Sequence, residues 1–342
     1  MKKAVILFNL GGPDKLENVE PFLFNLFNDP AILNIPGIIR YFLAKFIAKK
    51  RTPIAKKIYE ELGGSSPILK STINQSEELE KKLNKKNNTD KYKCFVVMRC
   101  WHPRAKKVVQ EVKSFNPEEI ILLPLYPQFS ASTSASSIKE WEDICKINNY
   151  KIKTSIICCY PTDNNFVKAH VLEINKKING LDNYKLIFSA HGLPEKNIKK
   201  GDPYQWQVEQ SVQEIVKYLN IKNLDWVLSY QSRVGPLKWI GPSTDNIIIE
   251  NSKIGKNLII VPVAFVSEHS ETLVELDIEY KKLALDNGCT NYIRVPALGV
   301  CDTFIESLSN LIINKDNNKF NGKFFPPINK CPANFIKCPC RR

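Results

Sequence analysis

Apolar runs of strand length alternate with helix-forming segments along most of this chain. "AVILFNL", "KCFVVMRC", "EIILLPLY" and "KTSIICCY" come first, and "KLIFSA", "LDWVLSYQS" and "NLIIVPVAFV" follow. The runs are continuously apolar, which is typical of parallel strands covered by helices on both faces. The sequence therefore predicts an α/β fold with doubly wound open sheets.

The chain also resembles itself weakly. "FNLGGPDK" matches "FSAHGLPEK" through Gly11 and Gly192, and "IILLPLYPQFSAST" matches "LIIVPVAFVSEHSE" through Pro124 and Pro262. These matches predict two similar Rossmann-like domains. The first domain would hold extra chain between its two matched strands.

The predicted halves differ in length and in chemistry. We assign residues 1–150 to the first half with an insertion at about 22–66, residues 151–312 to the second half, and 313–342 to a C-terminal extension. Ligands of open α/β sheets bind beyond the carboxyl ends of the strands. The second half has His191 and His269 there, whereas the first half has Leu10 and Ala131. We therefore expect the chemistry in the second half, with the insertion as a wall or lid.

The formal net charge of the 342-residue chain is +14. This charge fits either an anionic partner or plain lysine enrichment, and the lysines form no stripe of the kind that binds nucleic acid. No apolar run reaches the roughly 20 residues of a membrane span. The first residues lack a signal-peptide pattern, so we expect a cytoplasmic protein. Neither GxGxxG nor GxxxxGK[ST] occurs, which argues against NAD and nucleotide triphosphates.

His191 and Glu271 form a candidate functional pair. His191 ends the apolar run "KLIFSA", and Glu271 begins the helical segment after "NLIIVPVAF". Imidazole and carboxylate bind divalent iron, zinc or cobalt, and they also act as general bases. Two ligands suit a metal that must be released. The alternative is a core histidine beside a carboxylate that is favoured by a helix start.

Three glutamates recur at four-residue spacing in "SETLVELDIEY", namely Glu271, Glu275 and Glu279. Like charges at this spacing destabilise an isolated helix. The pattern fits a solvated helix face, or an acidic track that passes a cation toward His191.

The insertion mixes apolar and basic residues in "NIPGIIRYFLAKFIAKKRTP". Such a patch fits an anionic membrane surface, a helix packed on the core, or a large flat ligand with carboxylates.

The tail carries Cys331, Cys338 and Cys340 within "CPANFIKCPC". Three thiols this close indicate a metal or cluster loop, and "IICCYP" offers Cys158 or Cys159 as a fourth ligand. We prefer Cys158. A zinc site and a reduced, unliganded tail stay open.

Several separate motifs resemble those of the ferrochelatase family, which inserts ferrous iron into protoporphyrin IX to make haem. They extend over residues 3–312: "NLGGPD", "FLFNLFNDPAI", "RTPIAKKIYEELGGSSPI", "LPLYPQFSASTSAS", "SAHGLPEK", "YQSRVGPLKWIGPST" and "PVAFVSEHSETLVELDIEY". The resemblance implies a chelatase-like fold of two halves, each with a four-stranded parallel sheet, and a porphyrin cleft between them. It also favours the metal track over the solvated face.

The resemblance implies roles for particular residues. His191 matches the active-site histidine and Glu271 the glutamate that faces it. The residues that match porphyrin contacts are Arg51, Tyr59, Ser66, Arg99 and Trp239. The tail spacing is similar to that of bacterial members with a [2Fe-2S] cluster, which implies Cys158, Cys331, Cys338 and Cys340 as its ligands.

The sequence departs from the family pattern at some positions. Cys100 follows Arg99 where many members have tyrosine, Leu10 stands where some have methionine, and Ala169 occupies the position of an internal cysteine in animal enzymes. A tyrosine role at residue 100 is therefore not carried over.

The resemblance predicts a mechanism in which the enzyme binds porphyrin bent, since a flat ring shields its own nitrogens. His191 would take the pyrrole protons, and Glu271 would hold iron or relay protons. The alternatives are a coproporphyrin III ferrochelatase and a non-catalytic porphyrin or haem carrier. We expect an anionic inner-membrane surface as a peripheral partner. The oligomeric state stays open, with a homodimer as one option.

Overall fold

The computed structural model describes residues 1–87, 89–233, 235, 237–317, 323–325 and 330–342. Described residues fall into two compact units. The first comprises Met1–Tyr126, Ser130–Cys158 and Leu308–Phe325, and the second comprises Pro127–Phe129, Cys159–Ser307 and Pro326–Arg342.

The strands of the described residues are short and mostly buried. They are β1 (Lys2–Asn9), β2 (Lys91–Met98), β3 (Glu119–Pro124), β4 (Lys153–Ile157), β5 (Tyr184–His191), β6 (Trp226–Gln231), β7 (Asn257–Pro262), β8 (Tyr292–Arg294) and β9 (Phe324–Phe325).

Helices connect these strands. They are α1 (Val19–Phe27), α2 (Gly37–Glu60), α3 (Ile68–Lys86), α4 (Ala105–Phe115), α5 (Ser134–Ile147), α6 (Asn164–Ile178), α7 (Glu195–Lys199), α8 (Tyr204–Leu219), α9 (Thr244–Lys253), α10 (Tyr280–Asp286) and α11 (Asp302–Asn317). A 3₁₀ turn (Leu16–Asn18) precedes α1, and a π-helix (Glu271–Glu279) precedes α10.

Each unit is built on one parallel sheet. The strand order is β2-β1-β3-β4-β9 in the first unit and β6-β5-β7-β8 in the second. The predicted α/β class with parallel sheets is confirmed. The first sheet has five strands instead of the predicted four, because Phe324 and Phe325 pair with Ile156 and Ile157 of β4.

The two sheets share one strand order. β2-β1-β3-β4 corresponds strand by strand to β6-β5-β7-β8. The sequence matches align β1 with β5 and β3 with β7, which are the two central strands of each sheet. This agreement supports the internal duplication. The longer connection of the first unit contains α1 and α2, within the region predicted as an insertion.

The unit boundaries differ from those predicted from the sequence. The first unit extends to Cys158, because β4 completes its sheet, and Leu308–Phe325 return to it. Within this returning segment, the Lys315 ammonium lies 2.6 Å from the Glu119 carboxylate, and both side chains are buried. A buried lysine needs such a partner, so this pair fixes the end of α11 on the first sheet.

The carboxyl ends of the central strands present polar side chains. His191 ends β5 and stands beside Gln231 at the end of β6. Both strands are buried over the residues that lead up to that edge, as covered parallel strands should be. None of the helices in the described ranges is both long and apolar enough to cross a membrane.

Candidate active site

The second unit brings His191 and Glu271 into direct contact. The Nδ1 atom of His191 lies 2.8 Å from Oε2 of Glu271. β5 ends at the histidine and the π-helix begins at the glutamate, so both project from the same edge of the sheet. The Tyr204 hydroxyl donates to the backbone oxygen of His191 at 3.0 Å, which fixes the strand end.

His191 and Glu271 shift each other's pKa values. Burial opposes the imidazolium form, yet the charge and hydrogen bond of Glu271 raise the pKa of His191 above its ordinary value. Burial would also raise the pKa of Glu271, but His191 and His269 hold that pKa well below its usual range. Each partner therefore stabilises the charged form of the other.

His269 is a further member of the site. Its Nε2 lies 3.8 Å from Oε2 of Glu271, and its Nδ1 lies 3.1 Å from the backbone oxygen of Ser267. The contact with Ser267 fixes the ring orientation. Sequence reasoning placed His269 at a strand end but gave it no role, since no spacing motif links it to His191.

The glutamates of "SETLVELDIEY" lie on a π-helix rather than an α-helix. π-helical turns are rare and concentrate at functional sites. Glu271 faces His191, Glu275 is hydrogen-bonded to the end of β6, and Glu279 is exposed. The three carboxylates therefore have different surroundings.

Gln231 and Ser232 were not predicted as site residues. The Gln231 amide nitrogen lies 2.9 Å from Glu275 and 3.2 Å from the backbone oxygen of Glu271. Ser232 donates to Glu275 through both its backbone N–H and its hydroxyl. Amides and hydroxyls are common everywhere in a chain, so no sequence signal marks these two.

Trp239 lies beside the histidine loop. It forms a β-bridge with Pro194, and its ring would come within 3.3 Å of a Cβ atom at Gly192. Its indole N–H has no hydrogen-bond partner among the described residues. The structure thus places Trp239, which matches a porphyrin contact of the family, against Pro194 and Gly192 of the loop that follows His191.

The tail thiols meet Cys159 in the second unit. The Gln207 amide nitrogen lies 3.3 Å from the Cys159 sulfur and 3.1 Å from the Cys331 sulfur. A hydrogen bond to Cys338, together with burial, raises the pKa of Cys331. Cys340 is buried as well.

The cysteine that contacts Gln207 is Cys159, the neighbour of the Cys158 preferred in the sequence analysis. Cys158 belongs to the first unit, where its backbone N–H bonds to Phe325, whereas Cys159 lies in the second unit. Neighbours in an extended segment point to opposite sides, so the two sulfurs have different surroundings. Within the described ranges, no three His, Cys, Asp or Glu side chains form a preformed metal cage.

Comparison with known proteins identifies the family. The ferrochelatase family model matches residues 2–316. A ferrochelatase of Pelagibacter ubique is 71% identical over 340 residues, covering 99% of both chains. One of Rickettsia felis is 49% identical and covers 100% of this chain and 99% of its own.

The chain belongs to the ferrochelatase family. It is accordingly an enzyme that inserts metal into porphyrin. Two solved structures share its fold: SirB from Bacillus subtilis with Fe³⁺ (TM-score 0.53, 13% identity, covering 94% of this chain and 99% of that one) and the sirohydrochlorin chelatase SirB of subspecies spizizenii with cobalt (0.55, 12%, 93% and 97%). At such identities the likeness concerns the fold alone.

The residues of this ferrochelatase that match porphyrin contacts have varied surroundings in the first unit. Ser66 lies against the loop after β1, where its backbone N–H bonds to Pro13. Arg51 is exposed, with its guanidinium over the Phe27 ring. Tyr59 is buried, being 6% exposed.

Arg99 of this ferrochelatase is held by an ionic network. Its guanidinium lies 2.9 Å from Asp29 and 3.4 Å from Glu140, and its Nε donates to Ser136 at 2.8 Å. Asp29 is almost fully buried. The guanidinium is thus bound to carboxylates of its own unit, and a direct porphyrin contact would compete with them.

Proposed function

We propose that this enzyme inserts ferrous iron into protoporphyrin IX to give protohaem. The observation that carries the proposal is the contact between His191 and Glu271 at the strand end. An imidazole oriented by a carboxylate is the arrangement expected of a general base.

The reaction replaces two pyrrole protons by one ferrous ion. In the neutral form, the Nδ1–H of His191 donates to Glu271, which leaves the lone pair of Nε2 for a pyrrole proton. The imidazolium that forms is stabilised by the Glu271 carboxylate. The proton must leave before the second is taken, because one imidazole holds only one additional proton.

The remaining site residues would bind and orient the porphyrin. We assign Trp239 to one face of the ring because of its place beside His191. Arg51, Tyr59 and Ser66 match porphyrin contacts of the family, and Arg51 would pair with a propionate. Because Arg99 is bound to Asp29 and Glu140, its role would be to support neighbouring residues.

The porphyrin substrate is tested by comparing turnover on protoporphyrin IX and coproporphyrin III with ferrous iron. We expect faster turnover on protoporphyrin IX, and a loss of about 10²–10⁴-fold in kcat for His191→Ala, the usual contribution of a general base. Faster turnover on coproporphyrin III would mean that coproporphyrin III, and not protoporphyrin IX, is the substrate. Tight porphyrin binding without any iron insertion would indicate a carrier.

We also propose a [2Fe-2S] cluster held by Cys159, Cys331, Cys338 and Cys340. The donor set fits, because thiolates bind such clusters and three of these sulfurs interact with one another or with Gln207 in a buried region. The cluster would supply a one-electron redox centre and a cross-link between the tail and Cys159. Binding must displace the thiol protons, since the ligands are thiolates.

The cluster is tested by the visible absorption of protein purified without oxygen. Cys159→Ser should abolish the absorption, and Cys158→Ser is the matched control that should retain it. If Cys158→Ser abolishes it and Cys159→Ser does not, the sequence assignment of Cys158 is correct. A colourless protein that contains zinc would indicate that these cysteines hold zinc and not an iron–sulfur cluster.

We further propose that α2 rests on an anionic membrane surface. Ile38 is 78% exposed, Phe42 and Phe46 are each 65% exposed, and the same helix carries Lys45 and Lys49. Exposed apolar side chains among cations are the composition of an interfacial helix.

Vesicle sedimentation tests this surface. Phe46→Ser should weaken binding to anionic vesicles severalfold, because each buried apolar side chain contributes. Ile147→Ser is the control, since Ile147 is 74% exposed but lies on α5. Equal binding to anionic and zwitterionic vesicles would contradict the proposal.

A further inference from the structure

Glu275 has its acceptor sites filled by protein donors. The backbone N–H of Ser232 lies 2.8 Å and the Tyr280 hydroxyl 3.1 Å from its Oε1 atom. The Gln231 amide lies 2.9 Å and the Ser232 hydroxyl 2.5 Å from its Oε2 atom. A carboxylate offers about four lone-pair sites. The four donors therefore leave none for a metal ion.

The Ser232 donors depend on an unusual backbone conformation. Ser232 has a φ of 60°, in the left-handed region that residues other than glycine rarely adopt. In this conformation its N–H and its hydroxyl both reach Glu275. Local strain of this kind persists only where surrounding contacts enforce it.

The amide of Gln231 is oriented from the opposite side. Its oxygen accepts a hydrogen bond from the Ser189 hydroxyl at 2.7 Å, so its nitrogen must face the π-helix. That nitrogen contacts both the Glu275 carboxylate and the backbone oxygen of Glu271. Gln231 is fully buried and is paired with His191 in the sheet.

We propose that Glu275 is a positioning residue, which fastens the π-helix to the end of β6 through Ser232 and Gln231. Glu271, about one turn earlier, is thereby held opposite His191. This inference deepens the proposed function and rests on it for the kinetic readout. It differs from the acidic-track interpretation, in which Glu275 itself binds iron in transit.

The test compares steady-state kinetics of Glu275→Gln, Ser232→Ala and Ser232→Gly, with iron and porphyrin varied separately. A positioning role predicts a kcat lower by about 10-fold in Glu275→Gln and Ser232→Ala, with KM for ferrous iron changed by less than about twofold. Ser232→Gly should be milder than Ser232→Ala, because glycine adopts positive φ freely and keeps the N–H donor. The double variant Ser232→Ala/Glu275→Gln should be no worse than the more severe single variant.

The opposite pattern would overturn the inference. A rise of about 10-fold or more in KM for ferrous iron in Glu275→Gln, with Ser232→Ala near the wild type, would mean that Glu275 binds iron. Ser114→Ala is the matched control, because the Ser114 hydroxyl bonds only within α4 on the surface.

Thermal unfolding separates this inference from the proposed function. If the wild type inserts no iron, the proposed function fails. The coupling between Ser232 and Glu275 can still be measured from the Tm values of the wild type, Ser232→Ala, Glu275→Gln and the double variant. Additive Tm changes would then overturn the fastening of the helix, and non-additive changes would support it.

Discussion

At the scale of single residues, Gly192 sets how closely Trp239 approaches the end of β5, where His191 lies. A Cβ atom at this position would lie 3.0 Å from the Gln231 backbone oxygen and 3.3 Å from the Trp239 ring. Both distances are shorter than ordinary contacts. Glycine is therefore required here to avoid these close contacts. Its freedom to adopt a positive φ is not the reason, because Gly192 has no positive φ.

Gly192→Ala should fold with a free energy of unfolding lower by about 1–3 kcal/mol, as overpacked sites do. The displaced Trp239 and Gln231 should reduce the iron-insertion rate by about 10-fold or more. Gly37→Ala is the control, because the nearest atom to its added Cβ is 3.7 Å away on a flexible arginine. A fully active Gly192→Ala would show that Trp239 tolerates displacement.

His170 is a buried residue with a measurable acid response. Its ring packs on Phe166 with centroids 4.8 Å apart, and neither ring nitrogen has a hydrogen-bond partner among the described residues. Burial lowers the pKa of His170 from 6.5 to about 3. The unfolded chain therefore binds a proton that the folded chain refuses, so stability is lost as the pH falls below about 6.5.

His170→Phe should remove this acid response. Between pH 7.5 and pH 5, the wild type should lose about 2 kcal/mol more of its free energy of unfolding than His170→Phe does, as the linkage relation gives. Urea unfolding at both pH values measures the difference. The exposed His102, replaced by Gln, is the control. An identical pH dependence of His170→Phe and the wild type would contradict the expectation.

The residue scale also shows what sequence reasoning can find in a site. His191 could be singled out because the chain has only four histidines and this one ends an apolar run, and Glu271 because it begins the helical segment after another such run. Gln231 and Ser232 could not, because their roles arise from an amide orientation and a backbone angle. Cys158 and Cys159 could not be distinguished as ligands, because adjacent residues in an extended segment differ only in the direction of their side chains.

At the scale of elements, α11 is held on the first sheet by an ion pair in the core. Lys315 is 4% exposed and Glu119 is 2% exposed, and Ser155 also donates to Glu119. Removing one partner of such a pair leaves an uncompensated charge. The part of α11 from Leu308 onward, predicted to be divided between the second half and a separate extension, is thus a component of the first unit.

Lys315→Met should lower the free energy of unfolding by about 3–5 kcal/mol, the usual cost of isolating a buried charge. The double variant Lys315→Met/Glu119→Leu should recover much of this loss. Lys153→Met is the control, since Lys153 is 70% exposed and lies 3.8 Å from the same carboxylate. Chemical denaturation of the four proteins checks this, and equal losses at Lys153 and Lys315 would contradict it.

Strands were easier to predict than the π-helix. β1, β3, β5 and β7 are continuous apolar runs, and their positions follow from that composition. The π-helix has residues of ordinary helix propensity, and it differs only in its hydrogen-bond spacing. Contacts of Glu275 with β6 are long-range, so the local sequence carries no trace of them.

At the scale of the whole molecule, the net charge of +14 lies mostly in the first unit, and α2 alone carries seven lysines and arginines against one glutamate. The electrostatic field of this positive charge should attract the protein to anionic surfaces. The exposed apolar residues of α2 would add contacts that salt does not screen. These two contributions respond differently to ionic strength.

Binding to anionic vesicles should weaken strongly between about 0.01 M and about 1 M salt, over which the Debye length falls from about 30 Å to about 3 Å. A residual binding at high salt should vanish in Phe46→Ser and persist in Ile147→Ser. Sedimentation across the salt series measures both parts. Salt-independent binding would contradict the electrostatic contribution.

Because the two sheets share one strand order, the strand ends of the second unit can be compared with the corresponding strand ends of the first. In the aligned segments, Leu10 corresponds to His191, Ala131 to His269, and Thr133 to Glu271. The two sheets repeat one strand order, and of these aligned positions only those of the second unit carry imidazole or carboxylate groups. Substitutions at Leu10, Ala131 and Thr133 should therefore change the shape of the first unit's strand ends without removing a proton acceptor.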